Sequence, residues 1–293
     1  MKAFFDTAAV SGTDPVLSIR NVTKVYKNFS LKNMNIDVPA GSIMGFIGEN
    51  GAGKSTTIKL IMDLVHEDSG EIMVFGQNHK TLGRREREWI GVVLDECHFP
   101  AEMTAGEVGQ LMKMMYKTWD KNRFYNFLKV YKLPADRKVK DYSRGMQMKL
   151  SLAVAMSHDT RLLILDEATS GLDPIVRDEL LDQLMEFIQD ENHSVFLSSH
   201  ILSDLEKICD YITFIHKGQI LLSENKDELL ERHGILKCSR EELECVRREA
   251  IVGARLNAFG AEALVLRHRV PETWPLESAS LEQIMLYYTK GDE

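Results

Sequence analysis

Five short segments of the sequence combine residue types that handle nucleoside triphosphates. The first, Gly48-Glu49-Asn50-Gly51-Ala52-Gly53-Lys54-Ser55, fits the P-loop pattern G-x-x-x-x-G-K-[ST]. The others follow along the chain at residues 142–146, 162–167 and 170–173 and at His200. The P-loop indicates that the chain binds a nucleoside triphosphate, and the remaining segments indicate how the bound nucleotide is used.

The P-loop glycines let the backbone turn tightly and direct N–H groups at phosphate oxygens, and the helix that follows adds the positive end of its dipole. Lys54 is predicted to contact the β and γ oxygens, and the Ser55 hydroxyl to bind Mg²⁺. A chance Gly-rich turn is the alternative, but an apolar strand-like run precedes this segment and a helical pattern follows it. The predicted ATP-binding residues of the segment are Gly48, Asn50, Gly51, Gly53, Lys54, Ser55 and Thr56.

The apolar run at residues 162–165 predicts a buried strand that ends at two acids. Asp166 is predicted to hold Mg²⁺ through water, and Glu167 to act as the general base on the attacking water. His200 follows a second predicted strand, residues 195–197, at the edge of a sheet where ligands bind. It is predicted to contact the γ-phosphate and to align Glu167, so that Glu167 and His200 form the predicted catalytic pair. Solvated strand-end acids and a structural histidine are the simpler alternatives.

Composition limits the class of protein. The chain has 293 residues, 44% of them hydrophobic, which is long enough for one large core and an accessory domain. Its formal net charge of −8 gives no indication of nucleic-acid binding. We find no apolar run of the roughly 18 residues that a membrane helix needs, and residues 1–10 do not resemble a signal peptide. The four scattered cysteines predict reduced thiols in the cytoplasm, and a zinc site at Cys97 and His98 lacks further close ligands.

Strand and helix patterns alternate along most of the chain, which predicts an α/β fold with a largely parallel sheet. We expect a short lead over residues 1–15, an ATPase domain over residues 16–224 with a helical subdomain at about residues 100–157, and an accessory domain over residues 225–293. In the accessory domain, Ser239 with Glu242 and Ser280 with Gln283 have the spacing of helix N-terminal caps. Residues 263–266 predict a strand there.

Together these segments resemble the ATP-binding subunit of an ABC transporter, and within that family they are most similar to the ABC-2-type exporters of Gram-positive bacteria. The resemblance is strong over about residues 16–222 and weak at residues 280–288. It implies a P-loop (RecA-like) ABC ATPase core with an antiparallel β subdomain, a helical subdomain and a small C-terminal α+β appendix. It also implies that the chain hydrolyses ATP with Mg²⁺.

The resemblance assigns roles that spacing alone does not. Residues 142–146 stand where the family has its signature L-S-G-G-Q, which implies that Ser143 and Gly145 contact the γ-phosphate of ATP bound to the opposite subunit. Residues 170–173 match the D-loop, which crosses the dimer interface in the family. Tyr26 matches the aromatic residue that stacks on adenine, and Phe29 is the alternative for that role.

Two motifs depart from the family pattern, the signature and the Q-loop. Arg144 and Met146 replace Gly and Gln in the signature, although Ser143 and Gly145 retain the hydroxyl and the backbone N–H. Asp95 stands where the family usually has the glutamine of the Q-loop, and an acid there is predicted to bind Mg²⁺ more directly. The alternative effect of Asp95 is a change in how the nucleotide state is relayed to the membrane partner. We expect the site to remain active with both departures.

The resemblance also implies partners and a location. A second ATPase subunit, with a homodimer favoured, closes on two ATP molecules, and a separate integral-membrane permease docks near residues 95–104. The chain would then be cytoplasmic and peripheral on the inner face of the cell membrane, with no nucleic-acid partner. The cargo stays open among peptide antibiotics, lipids, polysaccharides and drugs.

The alternative function is a soluble ABC-type ATPase that acts on ribosomes or nucleic acid. Ribosome-acting relatives usually carry two ATPase cassettes, and DNA-repair relatives carry long coiled coils, whereas this chain has one cassette and no heptad run. A P-loop kinase or GTPase would leave the signature and D-loop matches unexplained.

Overall fold

The computed structural model of the protein describes residues 14–258 and 260–290. The strands are β1 Pro15–Val25, β2 Ser30–Pro39, β3 Ile43–Ile47, β4 Ser69–Val74, β5 Gln77–Asn78, β6 Ile90–Val93, β7 Leu162–Asp166, β8 Ser194–Ser199, β9 Tyr211–His216, β10 Gln219–Asn225, β11 His233–Cys238, β12 Ile251–Asn257, β13 Gly260–Leu266 and β14 Leu276–Ser278. The helices are α1 Lys54–Ile61, α2 Arg84–Arg87, α3 Ala105–Met115, α4 Lys121–Val130, α5 Arg144–Ala155, α6 Pro174–Phe187, α7 Leu202–Ile208, α8 Lys226–Arg232, α9 Arg240–Cys245 and α10 Leu281–Lys290. None of the helices in these two described ranges is both long and apolar enough to span a bilayer.

Within the described residues the chain folds as two compact units, a larger one over residues 14–220 and a smaller one that contains residues 221–258 and 260–290. The predicted lead over residues 1–15 lies outside the described residues except for its last two positions. Of these two, Pro15 already begins β1.

A six-stranded sheet in the order β10-β9-β3-β8-β7-β6 forms the centre of the larger unit. The adjacent pairs from β9 to β6 run parallel. Every residue of β3, β7 and β8 is buried, which explains why β3 and β7 are continuous apolar runs rather than alternating ones. The predicted α/β core with a parallel sheet is therefore confirmed.

A second, antiparallel sheet has the strand order β2-β1-β4-β5. Ile19 of β1 lies opposite Ile36 on one side and Ile72 on the other, and all three side chains are buried. β1 continues beyond its short apolar run because shifts in register carry the pairing past Asn21, which has a φ of +50°.

Helix α1 is shorter than its apolar pattern predicts. The pattern continues to Val65, whereas the helix ends at Ile61. Asp63 adopts a left-handed φ of +57°, and the N–H of Leu64 then donates to the carbonyl of Lys59. A left-handed residue ends a helix in this way, so Val65 packs on the core from outside the helix.

The predicted helical subdomain at residues 100–157 contains α3, α4 and α5. Each helix begins at a polar side chain that accepts a backbone hydrogen bond, namely Thr104, Asp120 and Ser143. Such caps satisfy N–H groups that have no partner within the helix. The fully buried ring of Phe124 on α4 lies directly against α3.

The smaller unit has a four-stranded sheet in the order β12-β13-β11-β14, and its pairs are antiparallel. The predicted helix caps are confirmed, because Ser239 with Glu242 opens α9 and Ser280 with Gln283 opens α10. Of the four strands of this sheet, the sequence predicts only β13. It does not reveal β12, whose last four residues are exposed and show no alternation of apolar and polar positions.

We predict that Gly109→Ala destabilises the larger unit although alanine favours helices. A Cβ at Gly109 would lie 2.5 Å from Cε1 of Phe124. Overpacking of this kind costs about 1–3 kcal/mol, which exceeds the gain of roughly 1 kcal/mol from replacing glycine in a helix. Thermal unfolding should therefore begin at a lower temperature. Gly106→Ala on the same helix is the control, because its Cβ would lie no closer than 3.2 Å to any other group. Equal melting temperatures for the two variants would contradict this account.

Candidate nucleotide site

Four parallel strands end side by side at one edge of the six-stranded sheet. In the order β3-β8-β7-β6, their carboxyl ends lead into the P-loop, His200, Glu167 and Asp95. The register aligns Ile47 with Ser199 and Asp166 with Ser198. The sheet therefore gathers segments that are far apart in sequence, at the edge where open α/β sheets bind ligands.

The P-loop has the backbone of an anion-binding turn. Gly51 and Gly53 have φ values of +82° and +120°, in the region that favours glycine. A Cβ at Gly48 would lie 2.5 Å from the carbonyl oxygen of Ile215, so this position has no room for a side chain.

Helix α1 begins directly after the loop, with no side-chain cap and no acidic residue in its first turn. Its first N–H groups are therefore oriented for an anion. Asn50 and Ser55 are exposed at this end, and Thr56 is half-buried.

The ammonium of Lys54 is buried, with only 5% of its side chain exposed. Nζ donates to the carbonyl oxygens of Gly48 at 2.7 Å and Glu49 at 3.3 Å, and it lies 3.0 Å from Oε1 of Glu167. These contacts hold the cation against the loop and join the ends of β3 and β7. A buried cation needs such partners because its desolvation is costly.

Glu167 connects Lys54 to His200. Its Oε2 lies 2.6 Å from Nδ1 of His200. A carboxylate can only accept a hydrogen bond, so Nδ1 of His200 carries the proton and is the donor. The imidazole ring is half-exposed. Glu167 has a left-handed φ of +51°, and its N–H donates to the carbonyl of Ser198. Strain of this kind is concentrated at functional sites.

Asp166 lies among oxygen-bearing side chains at the end of β7. The Ser198 hydroxyl donates to its Oδ1 at 3.0 Å. Burial raises the pKa of the Asp166 carboxyl above its usual value, and the negative charges of Asp95 and Glu167 raise it further, while hydrogen bonds from Ser55 and Ser198 oppose the shift. The structure therefore brings the three predicted metal ligands, Ser55, Asp95 and Asp166, into one neighbourhood.

The predicted residues of the signature segment, Ser143 and Gly145, make their contacts elsewhere in the structure. The Ser143 hydroxyl caps α5 by accepting from the N–H of Met146, and Ser143 is exposed. Gly145 lies beside Val176 of α6, because a Cβ there would come within 3.1 Å of that side chain. The two residues therefore face α6 and solvent.

The D-loop lies beside the signature segment. Gly171 has a φ of +69°, and its Cβ position would lie 3.2 Å from the guanidinium carbon of Arg144. Asp173 caps α6 by accepting from the N–H of Val176. The departure from the family pattern at Arg144 therefore contacts a second motif of the same chain.

The two aromatic candidates for adenine stacking occupy different positions. The Tyr26 ring is 42% exposed, and Nζ of Lys24 lies 5.7 Å from its centroid. Phe29 is half-buried, and its Cζ would lie 2.9 Å from a Cβ at Gly53. Phe29 thus packs against the P-loop, whereas Tyr26 offers an open ring face.

Sequence reasoning missed Ser198, which positions Asp166. The polar end of an otherwise apolar strand, Ser198-Ser199, was the available signal. The four cysteines are free thiols as predicted. Among the described residues, no group of three His, Cys, Asp or Glu side chains is arranged to hold a metal ion.

The comparisons with known proteins all indicate the same family. Residues 31–170 match the family described as ABC transporter. The bacitracin transport ATP-binding protein BcrA of Bacillus licheniformis is 35% identical over 221 residues, which cover 74% of this chain and 72% of that protein. The lantibiotic transport ATP-binding protein SrtF of Streptococcus pyogenes is 36% identical over 222 residues, or 73% of this chain and 95% of that protein.

A solved structure of an ATP-binding subunit of an ABC transporter superposes with a TM-score of 0.68 at 26% identity, and the match covers 74% of this chain and 92% of the other. The fold, the order of motifs and the sequence relatives thus agree, and the chain belongs to the ATP-binding ATPase subunits of ABC transporters.

Proposed function

We propose that this chain binds and hydrolyses Mg-ATP at the edge of its parallel sheet and thereby powers an exporter. The observation that carries the proposal is the chain of contacts from Lys54 through Glu167 to His200. An ammonium, a carboxylate and an imidazole are joined in that order, and the carboxylate lies within hydrogen-bonding distance of each of the other two groups. An ATPase needs these groups, and an ordinary strand end does not.

Nucleotide binding would use the exposed mouth of the P-loop. The N–H groups around Asn50 and Gly51 and at the start of α1 would receive the phosphates, and Lys54 would contact the β and γ oxygens. The open face of Tyr26 suits adenine stacking, while Phe29 would support the loop at Gly53. We therefore keep Tyr26 as the stacking residue.

The residues at the end of β7 fit Mg²⁺. The Ser55 hydroxyl and the Asp166 and Asp95 carboxylates offer oxygen ligands, which hard cations prefer. The pKa of Asp166 is raised first by burial and then by the negative charges of Asp95 and Glu167, and a divalent cation would offset that negative charge. Bound there with the phosphates, Mg²⁺ would neutralise charge that develops during phosphoryl transfer.

Hydrolysis would begin when the phosphates engage Lys54. Glu167 then loses part of its ion pair and becomes available to accept a proton from an attacking water. His200 holds the Glu167 carboxylate through Nδ1–H, so the orientation of the base is fixed by two side chains. The Glu167 N–H donates to the Ser198 carbonyl, which holds the backbone of Glu167 against the end of β8.

A second copy would complete the site. Ser143 and the N-terminus of the 12-residue helix α5 face solvent rather than the P-loop of their own chain. Helix N-termini bind phosphate, so we propose that this segment contacts the γ-phosphate of ATP bound to the partner. Both catalytic residues are present in one chain, which favours a homodimer.

The transport partner would be an integral-membrane permease that docks near residues 95–104, with this chain peripheral on the inner face of the membrane. Relatives named for bacitracin and lantibiotic transport support a transport role. They do not favour the alternative of a soluble ATPase that acts on ribosomes or nucleic acid. The permease would determine the cargo.

We predict that Glu167→Gln binds ATP but hydrolyses it at least about 100-fold more slowly, because the amide cannot act as the base. With Mg-ATP its mass by light scattering should rise from one chain to two. Lys54→Ala is the control, which should bind little ATP and keep the mass of one chain. Hydrolysis near the wild-type rate would contradict the role of Glu167, and an ATP-bound single chain would contradict the homodimer.

Asp166→Asn should stabilise the nucleotide-free protein while abolishing hydrolysis. The amide keeps the hydrogen bond from Ser198 and removes a buried charge beside two others, so the melting temperature should rise by about 2–4 °C at neutral pH. Because the folded pKa is raised, wild-type stability falls as pH rises from the unfolded value of 3.8 through the folded pKa. The difference between variant and wild type should therefore shrink as pH falls toward 4.

Asp95→Asn is the companion variant, and it should give a smaller rise because Asp95 is exposed. A melting temperature for Asp166→Asn below that of wild type at neutral pH would contradict the proposed cost of a buried negative charge beside Asp95 and Glu167.

Affinity purification of the tagged chain from detergent-solubilised membranes should recover a polytopic membrane protein. Phe99→Ser, within the proposed docking segment, should reduce that recovery. Leu64→Ser is the matched control, since Leu64 is an exposed apolar residue outside the segment. Repeated recovery of no membrane protein with the wild-type chain would reject the permease.

A further inference from the structure

The smaller unit contains a cavity that the ATPase reaction does not use. Its volume is about 610 Å³, within the size range of small-molecule sites. Two segments of the chain enclose it. One is the end of α9 with the turn that follows it, and the other is the segment after β13. The lining residues are Cys245, Val246, Arg247, Glu249, Ala250, His268, Arg269, Val270, Pro271 and Trp274.

The floor of the cavity is part of the hydrophobic core of the smaller unit. Ala250 and Val270 are buried members of that core, and Val246 and Trp274 pack against it. Because the same contacts stabilise the fold and form the floor, the floor exists before any ligand binds. Trp274 adds a large flat apolar surface with one N–H group.

The rim of the cavity is basic. Arg247, His268 and Arg269 stand there against a single carboxylate, Glu249, in a chain whose formal net charge is −8. Arg269 is held in place, because its Nη1 donates to the carbonyl of Glu249 at 2.9 Å and its Nε donates to Nε2 of His268 at 3.2 Å. Arg247 is exposed.

We propose that this cavity binds an amphiphilic anion, with its acidic group at Arg247 and Arg269 and its apolar body on Trp274 and Val270. Guanidinium groups bind carboxylate and phosphate oxygens in pairs of hydrogen bonds. A purely polar anion would leave the apolar floor in contact with water, and a neutral hydrocarbon would leave the arginines without a counter-charge. Only a ligand that has both an anionic group and an apolar body matches both halves of the site.

The site is tested with the full-length chain and the fluorescent aromatic sulfonate 8-anilinonaphthalene-1-sulfonate. Binding should weaken about tenfold or more in Arg247→Gln/Arg269→Gln and in Trp274→Ala, since each removes one half of the site. Arg248→Gln is the control for loss of positive charge, because it removes one charge beside Arg247 at a residue that does not line the cavity. Lys54→Ala should bind the probe normally, which excludes the nucleotide site.

A second readout covers the case in which Trp274→Ala disturbs the fold. Cys245 lines the cavity and is exposed, whereas Cys97 is a half-buried thiol of the other unit. Bound probe should slow maleimide alkylation of Cys245, measured by mass spectrometry, and leave the rate at Cys97 unchanged. The protection should be lost in Arg247→Gln, whose exposed side chain can change without loss of packing.

Two further measurements distinguish a dissolved ligand from a lipid head group. Displacement of the probe by dissolved decanoate alone supports a free amphiphile. Sedimentation with phosphatidylglycerol vesicles but not with phosphatidylcholine vesicles, lost in Arg247→Gln, supports a lipid head group. Probe affinity and Cys245 protection that are unchanged in Arg247→Gln/Arg269→Gln would overturn the proposal.

Discussion

The burial of one ammonium group, that of Lys54, determines how the rest of the site is arranged. A cation that is almost wholly removed from water must be neutralised nearby, and the loop carbonyls alone carry only partial charge. Glu167 provides the full negative charge, although its backbone must adopt a left-handed conformation to do so. The order of the parallel strands makes this contact available, because β8 alone separates the ends of β3 and β7.

Much of this arrangement could be predicted from sequence because parallel strands are buried on both faces. Such strands are short continuous apolar runs, and the residues directly after them must lie at one edge of the sheet. Asp166, Glu167 and His200 were found in this way, whereas Lys54 was found from the P-loop pattern. The strand order itself, which brings Asp95 next to Asp166, depends on long-range pairing that leaves no local pattern.

Other features escaped prediction for physical reasons that are specific to each. Helix α1 ends early because Asp63 adopts a left-handed conformation, which no apolar periodicity reports. Three of the four strands of the smaller unit were missed because that sheet is small and β12 is largely exposed. The contact between Phe29 and Gly53 depends on how the β1–β2 hairpin approaches the P-loop, which spacing along the chain does not encode.

The two departures from the family pattern act in opposite directions on the charge of the site. Asp95 adds a carboxylate beside Asp166, where burial and Glu167 already disfavour negative charge. Arg144 adds a guanidinium at the exposed start of α5, next to the D-loop. In the proposed closed dimer, the start of α5 of one copy would face the nucleotide of the other, so Arg144 and Asp95 would add charges of opposite sign to one composite site. Closure of that dimer on ATP would bring the extra acid and the extra base into one site, where each would offset part of the charge of the other.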